Sequence, residues 1–218
     1  MDWQALWLTA RLATIVSGIL LVISVPLAHW MVFSRRRWTF LIESIVSLPL
    51  VLPPTVLGFY LLMAMGTRSP LGRLWIDWTG HPLAFTFEGL VVASLFYSLP
   101  FAVQPIATAF SQIDPTLREA SATLGGSTLR TFFRIVLPLS IEGIIAGAVL
   151  SFAHTVGEFG VVLMVGGNIP GVTRTAAIAL YDATQVPGGA AGGLAAALLA
   201  VSFLAIVAVQ LLSRRPVR

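Results

Sequence analysis

Long apolar stretches alternate with short polar connections along the whole chain. Five of them are long enough for the roughly 20 residues that an α-helix needs to cross a bilayer. They cover approximately residues 12–33, 44–67, 89–113, 139–160 and 194–212. The first three contain no charged residue, and the fourth is interrupted by Glu158. The pattern predicts an all-α integral membrane protein with about five transmembrane helices in a single domain over residues 1–218.

The segment 166–193 leaves the number of spans open. It contains a mildly apolar run, 175–181, which is too short to cross a bilayer. Such a run suits a re-entrant or an interfacial helix. We therefore expect five spans, or six if this segment also crosses.

Composition supports a membrane protein and narrows its chemistry. Of the 218 residues, 57% are hydrophobic and 10% are charged, compared with about 45–50% and about 25% in an average soluble domain. The chain has no Cys, which excludes disulfides, thiolate metal sites and Cys nucleophiles. It also has no Lys, and so lacks the phosphate-binding Lys of a P-loop. We expect no catalytic residue, metal or cofactor on this chain; if ATP and Mg²⁺ are used, a separate subunit binds them.

All 13 basic residues are Arg, and they lie in short clusters between the apolar runs. One side of the predicted membrane domain receives Arg35, Arg36, Arg37, Arg118, Arg130, Arg134, Arg214, Arg215 and Arg218. The other side receives Arg11, Arg68, Arg73 and Arg174. Because cytoplasmic loops carry the excess of positive charge, the five-span arrangement has its N-terminus outside and its C-terminus in the cytoplasm. We expect the net charge of +4 to orient the protein rather than to bind nucleic acid.

Several prolines fall inside the predicted spans. Each removes a backbone donor and tends to kink or break a helix. In lipid, such breaks persist where the freed carbonyl groups face a neighbouring helix or a water-filled path. We expect irregular helices around Pro49 to Pro54 and around Pro100 to Pro105. Pro53 and Pro54 are candidates for a pathway or gate, and a tolerated structural kink is the alternative.

The loop 111–138, between the third and fourth spans, is long and polar. Asp114 is a typical N-cap, Pro115 suits the first helical position, and Gly125 suits the left-handed position that ends a helix. The sequence therefore predicts a short helix over 115–124. Its apolar positions, including Leu117 and Leu124, form one stripe, which suits either docking into another protein or lying on the lipid surface.

Two runs in this loop resemble the EAA loop of ABC-importer permease subunits: EASATLG at 119–125 and FFRIVLP at 132–138. In that family the loop forms a coupling helix, which sits in a cleft of the cytoplasmic ATP-binding subunit and transmits its closure to the membrane spans. The resemblance implies that this subunit is contacted by Asp114, Leu117, Arg118, Glu119, Ala120, Leu124 and Gly125. Ser121 stands where the motif usually has its second Ala, a small-for-small change that should still fit the cleft.

Four further stretches resemble the molybdate members of the molybdate and sulfate permease family. They are SLPLVLPPTVLG at 47–58, GEFG at 157–160, NIPGVTRT at 168–175 and PGG at 187–189. The resemblance implies a permease subunit of an ATP-driven molybdate importer in the bacterial inner membrane, which works by alternating access. The implied partners are a second copy of the chain, two cytoplasmic ATP-binding subunits and a periplasmic or lipid-anchored molybdate-binding protein.

Glu158, Asn168 and Arg174 are further candidates for the pathway or gate. An ionisable group within a span is costly and usually faces an interior cavity. A carboxylate is a poor ligand for an anion, so a structural or gating role suits Glu158 better, with His154 one turn earlier as a candidate partner. Arg174 follows a Gly-rich turn and begins a predicted helix, which suits an oxyanion, contact with a binding protein, or a solvated side chain.

The sequence leaves other substrates and functions open. Tungstate is nearly the same tetrahedral dianion as molybdate, and sulfate permeases share the LPP and GEFG patterns. A channel or secondary transporter would also use broken helices and Glu158, but it would not need an EAA loop. An intramembrane enzyme is disfavoured because the chain has no H-E-x-x-H motif.

Overall fold

The three-dimensional structure is a computed structural model that describes residues 2–34, 36–186 and 191–213. The predictions that concern Arg35, residues 187–189, Arg214, Arg215 and Arg218 lie outside these residues. Within them, the chain forms helices joined by short turns, and it forms no β-strand. The helices are α1 (Trp3–Phe33), α2 (Thr39–Val51), α3 (Pro54–Met65), α4 (Pro70–Thr79), α5 (Phe87–Ser111), α6 (Pro115–Thr123), α7 (Thr128–Thr131), a π-helix (Phe132–Val136), α8 (Leu137–Leu139), α9 (Ile141–Val156), α10 (Gly160–Gly166), α11 (Ala176–Gln185) and α12 (Ala191–Ser213).

Helices α1, α5 and α9 pack against one another and form the centre of the molecule. Leu12, Val16 and Leu20 lie on one face of α1, because residues four apart in a helix share a face. All three are fully buried, in a cluster that also contains Leu90 of α5 and Val162 of α10. The chain thus builds its core from one stripe of each long helix and leaves the remaining apolar faces to the membrane.

Helix α1 begins at Trp3 rather than near residue 12, so Arg11 lies inside the helix and not before it. The Asp2 carboxylate caps the N-terminus of α1 by accepting a hydrogen bond from the Ala5 backbone N–H at 3.0 Å. The Arg11 guanidinium lies over the Phe87 ring, 4.4 Å from its centroid. This contact holds the charged group against the start of α5.

Two glycines allow α9 to approach α5 closely. Gly143 and Gly147 form a G-x-x-x-G pattern, which predicts close helix packing. A Cβ atom on Gly143 would lie 2.8 Å from the Pro105 carbonyl oxygen, and one on Gly147 would lie 2.7 Å from the Ala102 carbonyl oxygen. The structure confirms the prediction, since any side chain at these two positions would collide with the backbone of α5.

The second apolar stretch is not one continuous helix, and it forms one candidate span only if its two bent helices are counted together. Helices α2 and α3 meet at an angle of 114°. Leu52 and Pro53 between them are extended, with ψ angles of 135° and 134°. Each of these residues precedes a proline, which disfavours the helical conformation of the residue before it. The break expected at Pro53 and Pro54 is therefore confirmed.

At Pro100 and Pro105, where we expected an irregular helix, the helix is not interrupted. Helix α5 continues without interruption from Phe87 to Ser111 and contains both prolines. The backbone of α9 covers the Pro105 carbonyl through the close approach of Gly143. A proline inside a membrane helix is tolerated where a neighbouring helix surrounds the altered backbone.

The fourth apolar stretch is broken twice. The helical segments on either side of Ser140 meet at 68°, and the second of them ends at Val156, before Glu158. Helix α10 then begins at Gly160. The interruption expected at Glu158 is confirmed, while the bend at Ser140 and the π-helix that precedes it carry no clear signal in the sequence.

Length and composition make three of the described helices candidates for crossing a membrane, and five if each bent pair counts as one span. The three are α1, α5 and α12, and the bent pairs are α2 with α3 and the segments joined at Ser140. Helix α11 contains only 10 residues, which agrees with the prediction of a helix too short to cross. The fold is that of an all-α integral membrane protein.

Candidate functional site

Helix α6 begins as its sequence predicts. The Asp114 carboxylate accepts a hydrogen bond from the Thr116 backbone N–H at 2.9 Å, and Pro115 occupies the first turn, where its missing N–H costs nothing. The hydrogen bond from Thr116 lowers the pKa of the Asp114 carboxyl. A charged cap at this position also interacts favourably with the positive end of the helix dipole.

The end of α6 is fixed by a glycine turn. Gly125 adopts a left-handed conformation, with φ of +75°, and the Gly126 backbone N–H donates to the Ser121 carbonyl at 2.8 Å. The Ser121 and Thr131 hydroxyl groups lie 2.7 Å apart and join α6 to α7. Ser121, the residue that departs from the EAA pattern, therefore fastens the helix to the segment that follows it.

Most of the predicted coupling residues lie on the surface. No residue of α6 is buried in the described structure. Its apolar side chains are exposed too: Leu117 is 43% exposed, and Leu124, just after the helix, is 87% exposed. Glu119 and Ala120 are exposed as well. Apolar side chains presented in this way on a short capped helix suit contact with another protein or with lipid.

Arg118 differs from the other predicted coupling residues because it faces the protein itself. Its guanidinium lies over the Phe33 ring at the end of α1, 3.9 Å from the ring centroid. Phe33 belongs to an aromatic cluster with His29, Phe110 and Phe132. Arg118 thus connects α6 to three other helical segments.

Glu158 occupies the gap between α9 and α10. It is 3% exposed, and neither carboxylate oxygen has a hydrogen-bond partner among the described residues. The expected pairing with His154 is wrong. The His154 ring lies 3.8 Å from the Phe101 ring, and its Nδ1 is 3.0 Å from the Ser98 hydroxyl.

The helix break at Pro53 and the helix break at Glu158 meet beside this residue. A cavity of about 390 Å³ is lined by residues of both breaks, including Pro54, Thr55 and Glu158, and by Tyr97 of α5. A Cβ atom on Gly160 would lie 2.7 Å from the Pro54 Cβ atom, so the glycine makes this close approach feasible. The structure therefore brings together Pro54 and Glu158, which lie far apart in the sequence.

Asn168 and Arg174 form a separate polar cluster, away from that cavity. The Asn168 side-chain amide donates to the Asp182 carboxylate at 2.7 Å, and the Arg174 guanidinium forms an ion pair with the same carboxylate. The hydrogen bond from Asn168, followed by the contact with Arg174, lowers the pKa of Asp182. The positive charge of Arg174 is thus offset by a carboxylate in α11, while its Nε has no hydrogen-bond partner among the described residues.

Asp182 is the functional candidate that sequence reasoning missed. Arg174 and Asp182 are the only charged residues in the segment 166–193. In an apolar segment, two isolated residues of opposite charge favour an ion pair. The sequence alone could therefore have indicated that Arg174 and Asp182 pair. Ser98, in contrast, could not be singled out, because its contact with His154 depends on how α5 packs against α9.

Among the described residues, no group of three or more His, Asp or Glu side chains could hold a metal ion. Most buried polar side chains of the described residues carry hydroxyl groups, and some of these bond to one another or to backbone carbonyls. Ser98 and Thr155 are joined at 2.9 Å, and Thr155 donates to the Ser151 carbonyl at 2.9 Å. The first contact joins α5 to α9, and the second lies within α9.

A model of the family described as binding-protein-dependent transport system inner membrane component matches residues 13–218. The molybdenum transport system permease protein ModB of Azotobacter vinelandii is 49% identical over 95% of this chain and 92% of its own length. The Escherichia coli K12 protein of the same name is 40% identical over 97% of this chain and 91% of its own length. A probable sulfate transport system permease protein of Chlorokybus atmophyticus is 34% identical over 80% of this chain and 60% of its own length.

Proposed function

Because this chain belongs to the family of inner membrane components of binding-protein-dependent transport systems, we propose that it is the permease subunit of an ATP-driven molybdate importer. The observation that carries the proposal is its similarity, over 95% of this chain, to a molybdenum transport permease. Members of such a family work in a membrane with an ATP-binding and a substrate-binding partner. The chain itself would perform no hydrolysis, and ATP and Mg²⁺ would bind to the partner subunit.

Helix α6 is the proposed contact with the ATP-binding subunit. Two features support this role: α6 has no buried residue in the described structure, and the apolar side chains of Leu117 and Leu124 are exposed. Because Asp114 and Gly125 close its two ends, α6 would move as one body. ATP binding would bring two ATP-binding subunits together, and each would carry the α6 helix of one permease copy with it.

Two contacts offer a route from α6 to the membrane helices. Arg118 lies over Phe33 at the end of α1, and Ser121 contacts Thr131 directly before the π-helix. Short π-helices are frequent at functional sites in helical proteins. Movement of α6 would therefore act on α1 through one contact and on α9 through the other.

The transport pathway is proposed to lie where the helix breaks at Pro53 and at Glu158 meet. The permease would form a homodimer that opens alternately to each side of the membrane. The cavity between Pro54 and Glu158 supports this assignment. Glu158 would act in gating or in structure rather than as a ligand, since a carboxylate repels a dianion. Asn168 and Arg174, held by Asp182, would shape the surface that faces the binding protein.

The orientation proposed for the bacterial inner membrane follows the Arg distribution. The side with Arg36, Arg37, Arg118, Arg130 and Arg134 would be cytoplasmic. This arrangement puts α6 on the side where ATP is available. It also puts the N-terminus outside and the C-terminus in the cytoplasm.

The experiment that tests this function measures ATP hydrolysis by the chain co-purified with its ATP-binding subunit in lipid vesicles. Molybdate-loaded, tungstate-loaded, sulfate-loaded and empty binding protein are supplied separately. We expect the molybdate-loaded form to stimulate hydrolysis well above the empty form. An empty-form rate in all four samples would contradict the proposal.

Sulfate is the second candidate substrate, because the chain is also similar to a probable sulfate permease. Stimulation by the sulfate-loaded form alone would keep the importer class and change the anion. Stimulation by the tungstate-loaded form would extend the substrate to both tetrahedral dianions. Failure of the two subunits to associate, combined with anion flux through this chain alone, would instead favour a channel or a secondary transporter.

A further inference from the structure

Glu158 lies in the short segment between α9 and α10, beside the cavity that the helix breaks at Pro53 and at Glu158 share. Both of its carboxyl oxygens are shielded from solvent, although the preceding residue, Gly157, is exposed. An ionised carboxylate is costly to bury without water or a cation, whereas a protonated carboxylic acid needs only its hydrogen bonds. The charge state of this side chain therefore depends on the groups that face it.

The described surroundings of Glu158 do not compensate a negative charge. Among the described residues, Glu158 forms no salt bridge, and helices α3 and α10, which line the cavity with it, contain no Arg, His, Asp or Glu. Its titratable neighbour on α5 is Tyr97, which also lines the cavity and is uncharged at neutral pH. The titratable side chain one turn earlier on α9, His154, contacts Phe101 and Ser98 instead.

The Ser94 hydroxyl of α5 is the partner that a protonated acid requires. It lies close enough to the Glu158 carboxyl group to interact with it, and it is itself buried without another partner among the described residues. A neutral carboxylic acid has an O–H donor that an ionised carboxylate lacks. One hydrogen bond from this O–H to the Ser94 Oγ therefore satisfies two buried polar groups at once.

We propose that Glu158 is a protonated carboxylic acid in this conformation, hydrogen-bonded to Ser94, and that it releases its proton when the break between α9 and α10 opens to water. Residues 157–159 lie outside both helices, so a local movement of this segment exposes the carboxyl group without unwinding either helix. The O–H bond then breaks, its electron pair stays on the carboxylate, and water takes the proton. Because opening releases a proton, a rise in pH favours the open form.

The role of this proton in transport rests on the pathway proposed above. A neutral acid leaves the closed pathway without a negative charge, which would repel a dianion. The protonation itself is a property of this chain and is measured without ATP, molybdate or a partner subunit. Its failure is therefore distinguishable from failure of the proposed transport function.

The first measurement detects the proton directly. Infrared spectra of the full-length chain in vesicles are recorded at neutral pH for the parent and for Glu158→Gln. Their difference should contain the C=O stretching band of a protonated carboxylic acid, which is well separated from the bands of an ionised carboxylate. Glu142→Gln, at an exposed position on α9, is the matched control and should leave that band in place. Ser94→Ala should keep the band but move it to higher wavenumber, because the acid loses its hydrogen-bond partner.

The second measurement follows the opening. The chain has no Cys, so Val161→Cys introduces a single thiol at a fully buried position of α10, beside Gly58 of α3. Its rate of labelling by a water-soluble maleimide is measured from about pH 6 to about pH 8, with Glu158 and with Glu158→Gln. Both forms share the pH dependence of the thiol, but only the first can release a proton at residue 158. The ratio of the two rates should rise several-fold with pH, by at most about tenfold per pH unit for one proton.

Absence of the carboxylic acid band in the parent would overturn the proposal, because Glu158 would then be ionised, as it would be beside a cation from a second copy. A rate ratio that stays constant with pH would also overturn it, since opening would then release no proton. A band that Ser94→Ala leaves unshifted would exclude the hydrogen bond to Ser94.

Discussion

Glu158 is the buried acidic side chain of the described structure. Its carboxylate is buried, and the buried Ser94 hydroxyl of α5 lies close enough to interact with it. Removing an ionised carboxylate from water without a cation costs several kcal/mol. A carboxylate at such a buried position suits a segment of the protein whose surroundings change during a transport cycle.

Replacing this carboxyl by an amide should therefore not destabilise the protein. We expect Glu158→Gln to unfold in detergent at the same temperature as the parent or a higher one, with a stability change of less than about 1 kcal/mol if it is unfavourable. Thermal unfolding followed by tryptophan fluorescence measures this. Glu142→Gln, at an exposed position on α9, is the control and should stay within about 0.5 kcal/mol. A large loss specific to Glu158→Gln would mean that the folded protein needs the ionised group.

The pair of Arg174 and Asp182 should show the opposite behaviour. Asp182→Asn removes the charge that offsets Arg174 and should lower stability by up to about 1 kcal/mol, because both side chains are about 30% exposed. The folded-state pKa of Asp182 is lowered, so its contribution is present above the ordinary Asp pKa and is lost as pH falls through the lower folded-state value. Unfolding temperatures measured between pH 6 and pH 3 should therefore converge for the parent and Asp182→Asn at acidic pH. A difference that stays constant with pH would contradict this role for the pair.

At the scale of helices, special residues determine where each element begins and ends. Consecutive prolines separate α2 from α3, and Gly125 ends α6 in a left-handed conformation. Both features follow from local sterics, which act between residues adjacent in the chain. This is the reason that the sequence predicts them well.

The end of α6 offers a direct test of the coupling assignment. Gly125→Val introduces a β-branched residue at a φ of +75°, which costs at least about 1–2 kcal/mol. We expect it to uncouple ATP hydrolysis from uptake or to prevent assembly with the ATP-binding subunit. Gly125→Asn is the matched control, because Asn tolerates this conformation, and it should retain uptake. Normal uptake by Gly125→Val at normal expression would contradict the role of this helix.

At the scale of the whole molecule, the distribution of Arg predicts the orientation. A reporter fused after Arg37 should be cytoplasmic, as should one fused at Arg218, while one inserted near Arg73 should be external. Alkaline phosphatase and fluorescent fusions, which are active on opposite sides of the inner membrane, measure this. The reverse pattern would overturn the orientation and would place α6 away from the ATP-binding subunit.

The fold class and the number of apolar stretches are predicted from the sequence, but the shape of those stretches is not. Nothing in hydropathy distinguishes a straight helix over 44–67 from two helices that meet at 114°. Likewise, prolines in α5 and before α3 have similar local effects, yet only the second site breaks the helix. Helix α9 packs closely against α5 beside Pro105, through Gly143, whereas two consecutive prolines disfavour helical backbone between α2 and α3.

The sequence by itself determined the elements whose causes are local: the apolar stretches, the break at Pro53 and Pro54, and the cap and end of α6. Only the tertiary structure decided that Pro54 and Glu158 line one cavity, that Arg174 pairs with Asp182, and that His154 contacts Ser98 instead of Glu158. Steric and capping preferences depend on neighbours along the chain. Partners in space depend on how helices pack, and that packing follows from side chains distributed over the whole chain.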